Sequence, residues 1–472
     1  MTAEILEGKT KVIATLGPSS STKEIIEKLI RNGVDIFRLN FSHGTHEEHK
    51  ERLDNVRKIS KIYGKPVAVI QDLGGPKIRL GKVKEQKLCI GEVVELGSAD
   101  FPISIPSIIM DLKPDDLVSI DDGRVMLKVR QNIGNSCFCE VIREGVVSAN
   151  KGVNIRSKGL SLKSLTEKDL KDLEFAVKED IDYVALSFVK SASDIDDLRK
   201  ELKKRGKNLP VIAKIEKHEA LENLEEIIDR ADAILIARGD LGVEISLEEV
   251  PLAQIKIIKK CRLKGKPVIV ATQIMESMVN NPFPTRAEVN DIATAIIQGT
   301  DSIMFSSETA VGLYPVEVIS TVNQVILKTE AEMEKPSIPS NYIFEKAEDN
   351  PLLALSYSAC LLADNLKAQA MIIPTETGKS AKRIARFRPF TRIIALTTKE
   401  AVSRQLCLVW GVLPIILTPA SSVEDLYHKA EDLLIAKNLI NIGDKVIFTS
   451  GAYVGLTGGT NTIKYHIVGD AH

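Results

Sequence analysis

The chain has 472 residues, 63 basic and 64 acidic, a formal net charge of −1 and 44% hydrophobic content. Length on that scale holds about three domains, and the balanced charge excludes the basic footprint of a nucleic-acid or anionic-membrane binder. The first residues lack a basic-then-apolar signal pattern and no apolar run reaches the ~20 residues of a bilayer span, so a cytoplasmic protein with small-molecule partners is expected. Cysteines at 89, 137, 139, 261, 360 and 407 have neither zinc nor thioredoxin spacing, which predicts reduced structural thiols.

Through residue 310, apolar runs of strand length alternate with amphipathic helical stretches, the pattern of parallel βα units. The runs are Lys11 to Leu16, Asp35 to Leu39, Pro66 to Ile70, Asp182 to Ser187, Pro210 to Ile215, Ala233 to Ala237, Pro267 to Ala271 and Ser302 to Phe305. Helical patterns fall between them at 21–32, 47–62, 167–179, 193–204 and 222–230. Eight such units predict a closed (β/α)8 TIM barrel. Residues 76–160 interrupt the rhythm with short β-like runs, so an all-β domain is expected as an insert after the third strand, placed to act as a lid. It divides the barrel into segments 1–75 and 161–340. A linker from Glu334 to Asn350 leads into a C-terminal α/β domain, 341–472. Its helix is expected at Leu352 to Leu366 and its mostly parallel sheet at Ala370 to Ile373, Ile393 to Leu396, Pro414 to Leu417 and Lys445 to Thr449.

In a βα barrel the strand C-terminal ends make the active site, and polar residues finish nearly every strand here. The second run gives Arg38, Asn40, Ser42 and His43; the third gives Asp72, Lys77 and Arg79; the fourth gives Ser187. Lys214 and Glu216 close the fifth, Arg238 and Asp240 the sixth, Thr272 and Gln273 the seventh, and Ser306, Ser307 and Glu308 the eighth. A carboxylate two places after a lysine on a strand faces the same side, so Lys214 and Glu216 look into one pocket. Asp240 joins them from the next strand end. Two carboxylates beside a lysine suit a divalent cation bridging a phosphate, with the ammonium neutralising charge on the transferring group. His43, His46 and His49 repeat every three residues, but no cysteine or acidic motif accompanies them to make a zinc site.

Taken together, these residues resemble the pyruvate kinase family across essentially the whole chain. The segments that carry the resemblance are Arg38 to Gly44, Ala213 to Glu216, Ala237 to Glu244, Ala271 to Met278, Pro284 to Glu288 and Ser307 to Ala310, in the family's order. The resemblance implies transfer of the phosphoryl group of phosphoenolpyruvate to ADP, giving ATP and pyruvate, in a homotetramer. It implies that Glu216 and Asp240 hold Mg²⁺ or Mn²⁺, that Arg38 and Lys214 neutralise the phosphoryl group, and that the Gly239 and Asp240 amides take the substrate carboxylate. Thr272, with Ser306 and Glu308 behind it, is where the family protonates the enolate. Asn40, His43, Arg79 and Lys151 are expected to meet the nucleotide, with Lys151 also matching the lid hinge.

The potassium-dependent members hold K⁺ with Asn, Ser and Asp side chains and a backbone carbonyl, equivalent here to Asn40, Ser42, Asp72 and Leu73. They carry a glutamate where this chain has Lys77, and the two-unit charge change leads us to expect that K⁺ is dispensable. The resemblance also implies an allosteric site for a sugar phosphate or nucleotide monophosphate in Thr375, Glu376, Thr377, Gly378, Lys379 and Ser380, with Thr457 to Thr460 closing over it. Two other readings of such a barrel are a metal-dependent lyase or aldolase acting on pyruvate enolate and a non-catalytic metabolite-binding regulator. The first has no need of the insert, Arg79 or Lys151; the second predicts loss of Lys214, Glu216, Asp240 or Thr272, and all four are present.

Overall fold

The computed structural model describes residues 8–121, 123–156, 162–334, 350–451 and 460–470. Eight parallel strands close into a barrel: β1 (Lys11–Leu16), β2 (Ile36–Asn40), β3 (Ala68–Asp72), then β11 (Tyr183–Leu186), β12 (Val211–Ile215), β13 (Ala233–Ala237), β14 (Val268–Ala271) and β15 (Ser302–Phe305). Between β3 and β11 lie the strands of the insert. They are β4 (Gln86–Leu88), β5 (Val93–Leu96), β6 (Leu117–Ile120), β7 (Val125–Asn132), β8 (Cys137–Arg143), β9 (Gly145–Val147) and β10 (Val153–Arg156). Five of these pair antiparallel in the order β10-β6-β7-β8-β5, and β4 pairs with β9. The C-terminal sheet contains β16 (Ala370–Pro374), β17 (Arg392–Thr397), β18 (Val412–Ile416), β19 (Lys445–Gly451) and β20 (Thr460–Ile467), with only β20 antiparallel. Among the described residues no helix is long and apolar enough to cross a membrane.

Local chemistry explains the helix boundaries. Thr45, Thr166 and Thr285 each start a helix through a reciprocal capping box with an acid three residues on, so two orphan amides are satisfied at once. Gly64, Gly265 and Gly299 end helices at φ between +60° and +93°, where a side chain would be strained. The barrel strands are buried on both faces, as parallel strands under helices must be.

Successive strand residues alternate between two cores. Val12, Ala14, Leu39, Val69 and Val184 pack outward against helices; Ile13, Ile36, Ile70, Tyr183, Ile212 and Met304 fill the barrel. Cys407 and Leu408 of the C-terminal domain join that interior cluster, so the lower mouth is stoppered by another domain. Tyr183 donates its hydroxyl to the Gln405 carbonyl at 2.7 Å, sealing the joint with a buried polar contact.

The same lower end carries a repeated device. Asp35, Asp182, Asp232 and Asp301 each precede a strand of the barrel and accept the backbone N–H of a residue on the preceding strand: Val12, Val69, Val211 and Val268, at 2.8–3.0 Å. These are alternate strands around the barrel, so each aspartate ties one pair and satisfies an amide where the ladder begins. In the insert, Cys137 and Cys139 face its core from alternate positions on β8. Burial pushes their thiols up to about 11 and about 12, which keeps them protonated and unreactive at neutral pH.

Candidate active site

Lys214 lies near the C-terminal end of β12, and its ammonium is buried among three oxygen groups. Nζ donates to Ser187 Oγ at 2.8 Å and pairs with Glu216 Oε1 at 2.9 Å and Asp72 Oδ1 at 3.3 Å. Arg38, from β2, meets the other Asp72 oxygen at 2.6 Å and donates to Thr15 Oγ1 at 3.2 Å. Four strands and the β11 exit thus bring their terminal side chains into one network. Burial opposes ionisation of Asp72, but Lys214 and Arg38 outweigh it and hold its carboxyl below the usual value. Burial likewise opposes the Lys214 charge, yet Asp72 and Glu216 raise its pKa above the lysine norm. The Lys214 ammonium therefore stays charged in a site largely closed to water.

Glu216 is different. Burial raises its pKa, Lys214 works against that, and the Asp240 charge raises it further. Its second oxygen accepts the Phe188 amide at 2.7 Å, at a residue whose φ is +56°. Two carboxylates that disfavour each other's charge are a mismatch that a divalent cation removes, because hard oxygen ligands and a hard cation neutralise one another. Glu216 and Asp240 therefore fit such an ion. Among the described residues no ready-made group of three or more His, Cys, Asp or Glu ligands accompanies them, so substrate oxygens and water must complete any coordination shell.

Asp240 sits in the short helix Arg238–Glu244 that follows β13. It lines a cleft between barrel and insert, shared with Pro76, Lys77, Ile78, Val153 and Asn154. Arg156, at the end of β10, reaches across to the Val243 and Ile245 carbonyls, at 2.5 Å and 3.0 Å. The insert is thereby tied to the helix that carries Asp240.

Thr272 and Gln273, just past β14, have φ of +65° and +53°. For a β-branched residue that is an outlier costing about 1–3 kcal/mol, so something must hold it. Arg238 does so by donating to the Thr272 carbonyl at 2.9 Å and the Gln273 carbonyl at 2.8 Å while Asp291 pairs with it at 2.7 Å. Thr272 Oγ1 accepts the Gly239 amide at 2.8 Å and donates to the Ala271 carbonyl at 2.6 Å. The Gly239 amide is thus occupied by Thr272 and faces no open anion cradle. Behind this turn, Glu308 accepts the Ser306 amide at 2.7 Å and the Met275 amide at 3.3 Å, and burial raises its pKa.

Asn40 ends β2, and Ser42 and His43 lie on the loop that follows it. Asn40 Oδ1 accepts the Ser42 amide at 3.1 Å, and Ser42 and His43 are exposed. Partial burial lowers the His43 pKa, helped by the charges of Arg79, Lys77, Arg38 and Lys168, so four cations act on one imidazole. Of the four groups expected at a monovalent-cation site, Asp72 is committed to Arg38 and Lys214, and the Leu73 carbonyl accepts Ser187 Oγ at 2.8 Å. Arg79 donates to the Asn150 carbonyl at 2.9 Å, whereas Lys151 pairs with Asp121 of the insert at 3.1 Å.

His46 and His49 are spent on packing. His46 bonds Asp172 at 2.8 Å, and His49 stacks on Phe41 and bonds the His43 carbonyl.

In the C-terminal domain, Gly378 has φ +75° and donates its amide to Thr375 Oγ1 at 2.9 Å, and Glu376 pairs with Lys399 at 3.1 Å. Thr377 and Lys379 are exposed at the start of the helix Lys379–Ala385 that carries Ser380. Residues 457–459 lie outside the described residues, as does the side chain of Thr460.

The sequence reading gives no role to Ser187 beyond its place at a strand end, and none to Asp291 or Thr15. Ser187 was findable from its strand-end position; Asp291, inside the helix Arg286–Gln298, carries no local signal.

Comparison with known proteins agrees with this geometry. Residues 7–319 match the family model described as pyruvate kinase, barrel domain, and residues 353–466 match the one described as pyruvate kinase, alpha/beta domain. The chain is 42% identical over 474 residues to a pyruvate kinase of Sporosarcina psychrophila, covering 98% of this chain and 81% of that protein. It is 38% identical over 473 residues to a pyruvate kinase of Staphylococcus aureus strain MRSA252, with the same coverage.

Proposed function

The chain belongs to the pyruvate kinase family, and from that premise we propose that it transfers the phosphoryl group of phosphoenolpyruvate to ADP, forming ATP and pyruvate. The observation that carries this reading is the buried Lys214 ammonium, within 3.3 Å of Ser187, Glu216 and Asp72 while Asp72 also holds Arg38. Transfer between two anionic partners is mostly a problem of positioning and charge. Two cations fixed by one buried carboxylate are already oriented, so no reorganisation is required when charge moves.

Glu216 and Asp240 would hold the divalent metal, Mg²⁺ or Mn²⁺, which supplies Lewis-acid neutralisation of substrate oxygens. Arg38 and Lys214 face the phosphoryl group, and the insert excludes water. His43, Arg79, Asn40 and Lys151 meet the nucleotide phosphates. The Thr272 hydroxyl, released from the Ala271 carbonyl, relays a proton to the enolate, taking one from water as it gives its own, with Ser306 and Glu308 supporting the turn. When substrate enters, the Gly239 amide leaves Thr272 for the substrate carboxylate.

K⁺ is not required. Asp72 and Leu73 already have protein partners, and Lys77 places a cation close enough to influence His43 beside Ser42. The Thr375 to Ser380 loop takes a phosphorylated activator, and the enzyme works as a cytoplasmic homotetramer; both extend the family resemblance. The test is the initial rate of pyruvate formation from phosphoenolpyruvate, ADP and Mg²⁺ in K⁺-free buffer, repeated with KCl and an ionic-strength control. Full rate without K⁺ is expected, with Lys77→Glu becoming K⁺-dependent. A rate seen only with KCl removes the Lys77 argument, and no pyruvate formation in either buffer, with effectors also added, turns the reading to the lyase.

A further inference from the structure

Phe188, two residues past β11, has a φ of +56°, a conformation that a bulky side chain disfavours and that surrounding contacts must hold. Both of its backbone polar groups are engaged. The amide donates to Glu216 Oε2 at 2.7 Å, and the carbonyl accepts the Ser164 hydroxyl at 2.9 Å. Ser164 is buried, so this bond is shielded from competing water. The Phe188 ring packs against Gly75, where an added Cβ would lie 2.7 Å from a ring carbon. Ring, amide and carbonyl are thus each fixed by a different segment of the chain.

Glu216 depends on that arrangement. One carboxylate oxygen faces the Lys214 ammonium and the other the Phe188 amide, so the plane of the carboxylate is set by where that amide points. Holding the Phe188 carbonyl restricts rotation of its backbone and keeps the amide aimed at Glu216. Ser164 itself lies on the chain returning from the insert. Lys190 anchors the same stretch by donating Nζ to the Leu162 carbonyl at 2.6 Å. Arg156, eight residues before Ser164, holds the Val243 and Ile245 carbonyls at the end of the helix that carries Asp240. The chain leaving the insert therefore supports both carboxylates, one through Arg156 and the other through Ser164.

We propose that Ser164 is a positioning residue for the divalent-metal site: acting through Phe188, it fixes the orientation of Glu216 as a ligand and makes metal affinity depend on the return chain of the insert. This rests on the reading of Glu216 and Asp240 as metal ligands. Hydrogen bonds that orient a ligating carboxylate are worth about 10–100-fold in metal affinity. Removing the Ser164 hydroxyl leaves a buried carbonyl without its donor and a strained residue without one of its restraints, and rotation of the Phe188 backbone relieves both.

Mn²⁺ binding to the full chain, without substrate, is followed by electron paramagnetic resonance of the free ion for the unmutated protein, Ser164→Ala, Ser164→Thr and Glu216→Gln. Ser164→Ala is expected to weaken binding about tenfold or more with an unchanged melting temperature, and Ser164→Thr, which keeps the hydroxyl, to stay within about threefold of the unmutated protein. Glu216→Gln should weaken binding further than either. A loss in Glu216→Gln with none in Ser164→Ala overturns the proposal and leaves the metal ligands standing; unaltered binding in Glu216→Gln overturns both. A loss on alanine that threonine fails to restore assigns Ser164 to packing and also overturns the proposal. Steady-state kinetics give a second readout. In Ser164→Ala the Mg²⁺ concentration for half-maximal rate should rise by a similar factor while kcat at saturating Mg²⁺ stays within about twofold; a fall in kcat with an unchanged Mg²⁺ requirement counts against the proposal.

Discussion

The two ends of the barrel bury charge in comparable amounts but settle it differently. At the lower end each aspartate is closed off. Asp301 accepts the Val268 amide with one oxygen and Arg388 and the Trp410 amide with the other, at 3.0–3.2 Å. Asp182 is closed in the same way by Arg57, Arg404 and the Val69 amide. Planar guanidinium groups and backbone donors fix these pairs in one geometry, which makes them structural joints between domains. At the upper end the central cation is a lysine, whose point charge is shared among three partners, and Glu216 and Asp240 oppose each other. A network that leaves charge unsettled is the one prepared to receive a ligand, whereas a closed network resists change.

That contrast can be broken most forcefully at Lys214. Lys214→Met should lower kcat by about 10³-fold or more, with a melting temperature that falls little because Asp72 keeps Arg38. A loss of fold equal to the loss of rate would make the upper network structural after all. The opposite behaviour is expected below: Arg388→Ala leaves Asp301 buried without its guanidinium and should cost about 3 kcal/mol of stability, read by urea unfolding, with kcat nearly unchanged in the surviving native protein.

Arg238 should combine the two behaviours. It holds the carbonyls of the strained Thr272 and Gln273, so Arg238→Ala should reduce kcat by about 10²-fold through misplacement of the turn. The substrate KM should change little, and Arg238→Lys should restore part of the rate. A KM effect without a kcat effect would move Arg238 from positioning to binding.

The smallest effect concerns acid. Burial pushes His49 from 6.5 down to about 4, so between those values the unfolded chain takes a proton that the folded chain refuses. Stability present at pH 7 is therefore lost as pH falls through that window. Asp72 has the other schedule: its carboxyl is held below 3.8, so its stabilisation is complete above 3.8 and disappears only as pH falls further. Melting temperature should drop by ~2 °C or more between pH 7 and pH 5, and His49→Gln should flatten that slope while Asp72→Asn leaves it unaltered.

Much of the site was legible because barrel geometry converts a one-dimensional pattern into a ring. Every strand ends at one rim, so the sequence pattern alone groups Arg38, Lys214, Glu216 and Asp240. Period-two alternation likewise made the Lys214–Glu216 pairing readable. The capping boxes at Thr45, Thr166 and Thr285 were equally local. Asp72 is less legible: the resemblance assigns it to a monovalent cation, and packing makes it the shared anchor of Arg38 and Lys214. The aspartates that begin alternate strands were present in the sequence, yet their role depends on the neighbouring strand's amide.

Periodicity, caps and strand-end polarity are local properties, and they specify the barrel, the inserted β domain, the C-terminal α/β domain and the charged residues of the rim. Packing between distant segments selects the partner that each charge takes, sets Arg238 to restrain Thr272, and brings Cys407 and Leu408 to close the barrel from below. Those outcomes depend on contacts between segments tens to hundreds of residues apart, where desolvation and geometry, not residue type, choose among several chemically equivalent pairings.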